Sequence, residues 1–365
     1  MLLAWLAASL CSCLFCSLAY RVLSRSRHLR RYPARHAAST VRTAARNTPS
    51  AAFGKVSPPS PGTVVWARSD RVVELDDQIA SLRILTWNIE RGLQFQKIVA
   101  ALRALDPLPD VLLLQEVDMG TERCGRANVA EALAEVLGYG EYAFATEFQE
   151  LAEDGVHGNA ILVRSEALRI EKVWSVIHGT QPCDWTRNER EPRQGARTAI
   201  GVQLAGRRKL LCYSCHLENF AAPAGRREQL RDVLRDAEAG SGLRCIGGDL
   251  NTLSNGIVKL LRAYGDDDAA WPLFALQSAW RLIWDAAARR SEVDVMRSWL
   301  RNLGWKDPSF SQVRACSWTK QQLGGLWRAK LDWLLLRRDE EDWRVTSCFS
   351  GGLGASDHLY VCVDV

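Results

Sequence analysis

The first 69 residues of this 365-residue chain contain no acidic side chain, although they hold nine Arg and one Lys. The remaining residues carry 37 basic and 42 acidic side chains, a net charge of −5, so the formal charge of +5 for the whole chain is misleading. Non-specific affinity for nucleic acid depends on basic surface. The bulk charge of residues 70–365 therefore gives no support for such affinity.

Charge of either sign is absent from Met1–Tyr20. As a helix this run would extend about 30 Å, enough to cross a bilayer. Arginines follow at once, at positions 21, 25, 27, 30, 31 and 35. Because the positive flank lies downstream, the positive-inside rule keeps the rest of the chain in the cytosol. Residues 1–20 are thus predicted to be a transmembrane signal anchor, which makes the membrane a partner and the catalytic domain cytosolic.

A second interpretation of this N-terminal region stays open. Acid-free sequence rich in Arg, Ser and Ala is also typical of a targeting segment for a mitochondrion or plastid. A secretory signal peptide fits less well, because its basic n-region and shorter hydrophobic region are absent. In either case residues 21–80 are predicted to form a basic, disordered linker, since the stretch 47–63 is rich in Pro and Ser.

The eleven cysteines do not indicate a disulfide-bonded secreted protein. Cys11, Cys13 and Cys16 lie in the apolar N-terminal run, and others lie in segments with the pattern of core strands. Cys212 and Cys215 form a CxxC pair, but an odd offset on a strand directs the two side chains to opposite faces. We expect small buried hydrophobes in a reducing compartment, with a metal or redox role as the alternative.

From residue 81 onward the hydrophobic period switches repeatedly between strand and helix. Helices are predicted at 95–105, 128–137 and 223–239. Strands are predicted at 82–89, 110–115, 142–146, 159–163, 170–177, 199–204, 209–215, 244–246, 316–319, 331–336, 345–350 and 359–365. This interleaving, without an evident internal repeat, favours one α/β domain over residues 81–365, a four-layer sandwich of two packed mixed β-sheets flanked by helices.

Six short segments place a polar residue at or near the end of a hydrophobic strand. They are TWNIE at 86–90, LLQE at 113–116, CHLEN at 215–219, GGDLN at 247–251, KLDW at 330–333 and SDH at 356–358. Each segment alone also suits an ordinary turn. In this order they resemble the endonuclease/exonuclease/phosphatase superfamily, the DNase I-like metal-dependent phosphoesterases, across nearly all of residues 82–365.

The resemblance implies a divalent cation, Mg²⁺ or Mn²⁺, bound by oxygen ligands. Such a cation would neutralise an anionic phosphate ester and its leaving oxygen. Glu116 is the first candidate ligand, with Asn88, Asp357 and Glu90 beside it. Glu90 departs from the family pattern, because some members have Asp at this position. An acid at a strand end that simply faces water is the alternative for each carboxylate.

The GGDLN segment contributes two further candidates. Two glycines are expected to let the chain turn sharply, so that Asp249 and Asn251 enter the same cleft. By resemblance, Asp249 orients or deprotonates the attacking water and Asn251 contacts the phosphate. An Asx-turn cap is the alternative for this spacing.

Two of the six histidines lie inside motifs. By resemblance, His358 pairs with Asp332, and such a pair fixes the imidazole tautomer and stabilises its charged form. His216 would donate a hydrogen bond to a phosphate oxygen. A histidine buried in the core with satisfied hydrogen bonds is the alternative for each.

Three weaker candidates border the expected cleft. HGNAILVR at 157–164 resembles the substrate-facing strand of the family, which makes Asn159 and His157 candidates for substrate binding. Arginines at 187, 190, 193 and 197 are interrupted by acids, so a solvated loop is at least as consistent as a phosphate clamp. Within this run Arg197 is the first candidate. The tryptophans at 271, 280, 284, 299 and 305 favour core packing over a substrate or membrane surface.

These observations predict a divalent-metal-dependent phosphoester hydrolase, with a phosphodiesterase as the expected class. The catalytic domain is expected to be a monomer. Its substrate would be a phosphate ester in nucleic acid or in a lipid or inositol phosphate. From a different class, a catalytically silent, membrane-tethered binding scaffold could use the same fold, but the full set of acids and histidines argues against it.

Overall fold

The computed structural model describes residues 42–43, 60–68, 81–164, 168–188, 191–205, 209–252, 291–312, 318–319, 328–339 and 343–365. Its strands are β1 Arg42–Thr43, β2 Val64–Arg68, β3 Arg83–Asn88, β4 Val111–Met119, β5 Glu141–Glu150, β6 Val156–Val163, β7 Arg169–Ile177, β8 Arg193–Gly195, β9 Thr198–Ala205, β10 Leu210–His216, β11 Leu243–Asp249, β12 Trp318–Thr319, β13 Arg328–Ala329, β14 Asp332–Arg337, β15 Ser347–Gly351 and β16 Tyr360–Asp364. Its helices are α1 Phe95–Arg103, α2 Val129–Leu137, α3 Pro223–Glu238, α4 Glu292–Asn302 and α5 Ser309–Gln312.

Two large mixed sheets form the centre of the domain. The first has the order β1-β2-β5-β6-β4-β3-β16-β15, with β8 paired to the end of β5. The second has the order β14-β11-β10-β9-β7. Each sheet contains parallel and antiparallel pairs: β3 runs parallel to β4, and β10 runs parallel to β11, while their other neighbours are antiparallel.

Strand periodicity divides the apolar residues into layers, because alternate side chains point to opposite faces. On β3, Ile84 faces the second sheet, whereas Leu85 and Trp87 face the helices. The core between the sheets is lined from both sides, for example by Leu113, Ile161, Val202, Cys212 and Leu334. The two sheets therefore bury their inner faces against each other.

Helices cover both outer faces. Helices α1 and α2 pack on the first sheet through residues such as Ile98, Leu102 and Leu133. Helices α3 and α4 pack on the second sheet through residues such as Val233 and Met296. This arrangement confirms the predicted four-layer sandwich.

Residues 60–68 differ from the predicted linker over 21–80, whereas the rest of that linker stays a prediction. Residues 60–68 are ordered against the domain, and β2 pairs antiparallel with β5 along its whole length. Val64 is fully buried, and Gly62 donates its amide to the Thr146 carbonyl at 2.8 Å. The alternation of Val64, Trp66 and Arg68 is typical of a strand, but the Pro/Ser-rich stretch immediately before it favoured the prediction of a linker. The catalytic domain thus includes residues N-terminal to 81.

The predicted burial of the core-strand cysteines is confirmed, whereas the reducing compartment stays a prediction. Cys212 packs in the core between the sheets, whereas Cys215 packs beneath α3 and α4, so the CxxC side chains point to opposite faces. Both are free and buried. Trp305 is fully buried beneath the same helices, as expected for a core aromatic. The tryptophans at 271, 280 and 284 lie outside the described residues.

The membrane prediction concerns a part of the chain that the structure does not cover. Met1–Tyr20 lies outside the described residues. Among the helices that are described, none is both long and apolar enough to cross a membrane.

Candidate active site

The inner face of the sandwich changes from apolar to polar at one end. Strands β3, β10, β11 and β14 each contribute their terminal residue there, and these are Asn88, His216, Asp249 and Asp332. The register places Asp249 beside His216 on one side and beside Asp332 on the other. Parallel β10 and β11 end at this edge and antiparallel β14 begins there. Motifs far apart in the chain are brought together for this reason.

Glu116 reaches the same edge through a β-bulge. The pairing of β4 with β6 shifts register between Leu114 and Val117, and Glu116 has a φ of +50°. A positive φ is uncommon for a residue with a side chain and occurs often at functional sites. Gln115 meanwhile stays in the interior, where its amide donates to Ser214 Oγ at 2.8 Å. The bulge lets one residue pack inside while the next faces the cleft.

Asn88 links the two central carboxylates. Its Nδ2 donates to Glu116 Oε1 at 3.1 Å and to Asp249 Oδ2 at 3.2 Å. His216 Nε2 lies 3.5 Å from Asp249 Oδ2 and 4.0 Å from Glu116 Oε1. The predicted residues Asn88, Glu116, His216 and Asp249 thus form one contiguous cluster.

The Asp332–His358 pair is present as predicted. His358 Nδ1 donates to Asp332 Oδ2 at 2.8 Å, and both residues are almost completely buried. His358 Nε2 lies 3.7 Å from Asp249 Oδ2. Burial opposes protonation, but Asp332, followed by Asp357 and Asp249, raises the pKa of His358 to about 10. His358 is therefore a cation held next to Asp249.

His216 has the opposite character. Burial and the positive charge of Arg197 hold the pKa of His216 well below its usual range. The site consequently pairs one neutral imidazole with one imidazolium. A neutral ring can still donate one hydrogen bond, which suits the phosphate contact predicted for His216.

Asn251 follows the strand end in a left-handed conformation, with a φ of +52°. Its backbone amide donates to Asp249 Oδ1 at 2.9 Å, and its side-chain amide donates to the Leu217 carbonyl at 2.8 Å. The short loop after β11 therefore fixes the orientation of the Asp249 carboxylate. The two glycines before Asp249 do not form the turn that the sequence predicted, because both lie within β11.

Glu90 and Asp357 add acidic groups at the mouth of the cluster. The Asp357 side chain is 45% exposed, and its Oδ1 lies 3.8 Å from His358 Nε2. Burial, with the negative charges of Asp357 and Glu116, raises the pKa of Glu90. Glu90 and Arg91 have φ values of +48° and +62°, so this turn is strained.

These carboxylates are suited to a hard divalent cation. Burial disfavours the charged form of Glu116, yet Arg91 and the hydrogen bond from Asn88 help to hold its pKa well below its usual range. Carboxylate oxygens of Asp249 and Asp332 also lie within 4.8 Å of each other, next to the His358 ring. Oxygen-rich sites of this kind suit Mg²⁺ or Mn²⁺. Asn88 would have to turn its amide over to offer an oxygen, because Oδ1 accepts from the Glu90 amide at 3.0 Å.

The three predicted substrate-binding residues lie behind this cluster. His157 Nδ1 is 2.9 Å from Asp118 Oδ1, and Asn159 Nδ2 donates to the Thr198 carbonyl at 2.7 Å. Arg197 is bound on both sides, by Glu147 at 3.2 Å and by Glu218 at 3.4 Å. All three are at most 2% exposed. They support the cluster from the interior, and substrate contact remains a prediction.

Two residues inside the motifs, Ser356 and Trp87, contribute to the site without being among the predicted site residues. Ser356 Oγ donates to the Asn88 carbonyl at 2.7 Å and accepts from the His358 amide at 3.1 Å. Trp87 Nε1 donates to the His358 carbonyl at 3.0 Å. These contacts join the TWNIE and SDH segments. Both residues lie inside the motifs, so their position was the available signal.

Comparison with known proteins agrees with this geometry. A model of the Endonuclease/Exonuclease/phosphatase family matches residues 85–358. An endonuclease/exonuclease/phosphatase from Beutenbergia cavernae DSM 12333 has a TM-score of 0.51 and 18% identity, covering 78% of this chain and 71% of that one. A humanized D. rerio TDP2 has a TM-score of 0.48 and 17% identity, covering 78% and 98%. Comparison with curated proteins found no significant match.

The structural likeness at such low identity supports the fold alone, and the family match supports more. It spans well over half of the chain and includes all of the motif residues that converge at the strand ends. The chain therefore belongs to the endonuclease/exonuclease/phosphatase family and is a phosphoric ester hydrolase.

Proposed function

We propose that this protein is a Mg²⁺- or Mn²⁺-dependent phosphodiesterase. The observation that carries the proposal is the convergence of Glu116 and Asp249 on Asn88, with the Asp332-bonded His358 ring beside them. An anionic substrate would be repelled by these carboxylates unless a cation offset them. A bound divalent ion would supply that charge and stabilise the leaving oxygen.

Each residue of the cluster has a role that its surroundings support. Asp249 is positioned by the Asn251 amide to orient or deprotonate the attacking water. His358, kept protonated by Asp332, places positive charge against the phosphate as it gains negative charge. His216 and Asn251 would donate hydrogen bonds to phosphate oxygens. Glu116, Asp357, Glu90 and Asn88 would hold the cation.

The substrate class is proposed from the family, with two alternatives. One is nucleic acid, and one of the neighbouring folds is a D. rerio TDP2 complexed with single strand DNA product. The other is a lipid or inositol phosphate, which a membrane anchor at residues 1–20 would favour. Nucleic acids contain phosphate diesters, and so do many members of the lipid or inositol phosphate class.

Metal dependence tests the proposal directly. Hydrolysis of bis(p-nitrophenyl) phosphate should stop in chelator and return with Mg²⁺ or Mn²⁺. Glu116→Gln should raise the metal concentration that gives half-maximal activity, because one charged oxygen ligand is lost. Glu135→Gln, on the exposed side of α2, serves as the matched control. Full activity in chelator would exclude the mechanism, and a folded protein without activity under any metal would favour the binding scaffold.

We also propose that residues 1–20 anchor the protein in a membrane with the catalytic domain in the cytosol. The support is the uncharged run followed by arginines. Delivery to a mitochondrion or plastid is the alternative, and it predicts a shortened mature chain.

A further inference from the structure

Arg193 is a buried arginine whose guanidinium has no anionic partner among the described residues. The side chain is 5% exposed, at the start of β8. Its guanidinium carbon lies 3.9 Å from the ring centroid of Trp185 and 4.5 Å from that of Phe148. Its Nε is buried without a hydrogen-bond partner. Two aromatic rings hold the planar group in place without neutralising it.

The carboxylates around Arg193 are committed to other residues. Glu150, opposite Arg193 in the sheet register, pairs with Arg123 at 2.9 Å. Glu191 pairs with Arg91 at 2.6 Å.

Two further carboxylates are engaged in the same way. Glu147 accepts from Arg197 and from the Thr198 amide. Glu218 accepts from Trp185 Nε1 at 2.8 Å and from Arg197 Nε at 3.4 Å. Each of these four carboxylates thus has a partner other than Arg193.

An unpaired buried charge is unfavourable, because desolvation is not offset by an opposite charge. Burial and the nearby charge of Arg197 lower the pKa of Arg193, while the negative charges of Glu150 and Glu218 oppose this only in part, and an arginine stays protonated. The aromatic rings offset part of this cost through cation–π contact. An anionic ligand that accepts from the guanidinium would offset the rest.

A series of side-chain contacts connects Arg193 to the catalytic cluster. The ring of Phe148, which contacts the Arg193 guanidinium, also has its centroid 5.3 Å from the guanidinium carbon of Arg197. Arg197 contacts Glu147, whose carboxylate lies within 4.8 Å of ring nitrogens of His157 and His216. Trp185, the other ring, bonds to Glu218, two residues after His216.

We propose that Arg193 binds a second phosphate group of the substrate, separate from the phosphate that is hydrolysed. This inference rests on the proposed phosphodiesterase function and narrows it to substrates with at least two phosphates. The planar guanidinium matches a phosphate through two parallel hydrogen bonds. Trp185, which contacts the Arg193 guanidinium, and Phe220, whose ring centroid lies 5.5 Å from that of Trp185, are both half-buried and would contact the group that joins the two phosphates.

A matched pair of substrates tests the proposal. Thymidine 5′-(p-nitrophenyl phosphate) carries one phosphate, and its 3′-phosphorylated form carries a second. For the wild type, kcat/KM should be higher with the second phosphate present. Arg193→Met should reduce that preference on the order of 10- to 100-fold, mainly through KM, because a charge-assisted contact is lost. Arg193→Lys should retain part of it.

Two control variants separate this role from a structural one. Arg187→Met changes an exposed residue of the same arginine-rich segment and should leave the preference unaltered. Arg226 is also buried, but it is paired with Glu292 and with backbone carbonyls. Arg226→Met should lower the melting temperature, whereas Arg193→Met should leave it unchanged or raise it. A large loss of stability in Arg193→Met with an unaltered preference would overturn the proposal.

Calorimetric titration with inorganic phosphate, in chelator, provides a readout that does not depend on catalysis. Wild type should bind phosphate, and Arg193→Met should bind it at least tenfold more weakly. Equal binding by the two proteins would contradict the assignment. Arg193-dependent binding without an effect on substrate preference would identify an anion other than the substrate and would also overturn it. If wild type binds phosphate through Arg193 but hydrolyses neither substrate, the proposed phosphodiesterase function fails instead.

Discussion

At the scale of single residues, charge placement determines what the cleft can do. The same end of the sandwich holds a neutral His216 and a protonated His358, although both rings are buried. The two pKa values differ because the neighbouring charges differ: His216 lies near Arg197, whereas His358 donates a hydrogen bond to Asp332. Burial disfavours charge at both positions, so the partner decides the protonation state.

The Asp332–His358 bond should act as a unit. Asp332→Ala and His358→Ala should each reduce kcat on the order of 10²–10⁴-fold, and the double variant should lose little more than the worse single one. Asp332→Asn keeps the side-chain volume but can select the wrong tautomer, so kcat should fall more than substrate affinity. Steady-state kinetics of the four proteins measure the coupling. Independent effects that multiply would show that Asp332 does not act through His358.

The pH dependence of activity should report the charge of His358. The pKa of His358, about 10, lies above the ordinary value for histidine, so the ring loses its proton in the folded protein only as the pH rises through about 10. The stability that this charge contributes is fully present below the ordinary pKa and is lost over the same rise. Removing the negative charge in Asp332→Asn should lower this pKa, on the order of one to three units. The alkaline limb of the kcat profile should then move to lower pH. Asp118→Asn, which alters the Asp118–His157 pair, is the control and should leave that limb in place.

At the scale of secondary-structure elements, close approach of strands decides how Asp249 is presented. Gly247 and Gly248 are inside β11, which packs against β10 and beneath β3 and β4. A Cβ on Gly248 would lie 2.1 Å from the Cys215 carbonyl oxygen, and one on Gly247 would lie 2.6 Å from Leu113 Cδ1. Glycine is needed here for space and not for a turn.

Gly248→Ala should therefore displace the strand end that carries Asp249. We expect a loss of about 1–3 kcal/mol in the free energy of unfolding, as for overpacked cores, together with a lower kcat. Gly225→Ala is the matched control, because a Cβ in this first turn of α3 would meet Ala221 at an ordinary 3.4 Å. The control should be neutral or slightly stabilising. Denaturant unfolding and kinetics of both variants decide the matter, and wild-type behaviour of Gly248→Ala would refute the steric argument.

At the scale of the whole molecule, the division between N-terminal region and catalytic domain differs from the one that composition suggested. Strand β2 belongs to the first sheet, where Val64 and Ala67 are buried and Trp66 Nε1 donates to Glu141 at 3.2 Å. Removing β2 would expose the edge of β5 and the residues that Val64 covers. The boundary relevant to a stable domain thus lies at or before residue 60.

A truncation series tests both the boundary and the proposed anchor. A chain of residues 60–365 should be folded and active, whereas 81–365 should lose at least about 2 kcal/mol of unfolding free energy, the value for one buried Val-sized side chain. The full-length chain should sediment with membranes and resist carbonate extraction, and 60–365 should stay in the supernatant. Equal stability of the two truncated chains would contradict the role of β2. Recovery of a shortened chain from a mitochondrion or plastid would support delivery to an organelle.

The sequence by itself determined the layers of the fold, and its resemblance to a known family named the residues expected in the catalytic cluster. The apolar runs of β3 and β10 are buried on both faces, and the alternation of side chains along each strand carries Asn88 and His216 to the inner face. The motif residues follow directly on these strands, so their convergence could be predicted. The helix at 128–137 was predictable too, because Asn128 accepts from the Glu131 amide and Gly138 ends the helix with a φ of +77°.

Only the tertiary structure decided the features that depend on long-range neighbours. The bulge at Glu116, the strand positions of Gly247 and Gly248, and the attachment of β2 all arise from packing against distant segments. The same holds for the two arginines of one short segment: Arg197 contacts two carboxylates, whereas Arg193 contacts none in the part of the chain that the structure describes. Charge pairing is set by which side chains the fold brings within a few ångströms, and local sequence does not encode that distance.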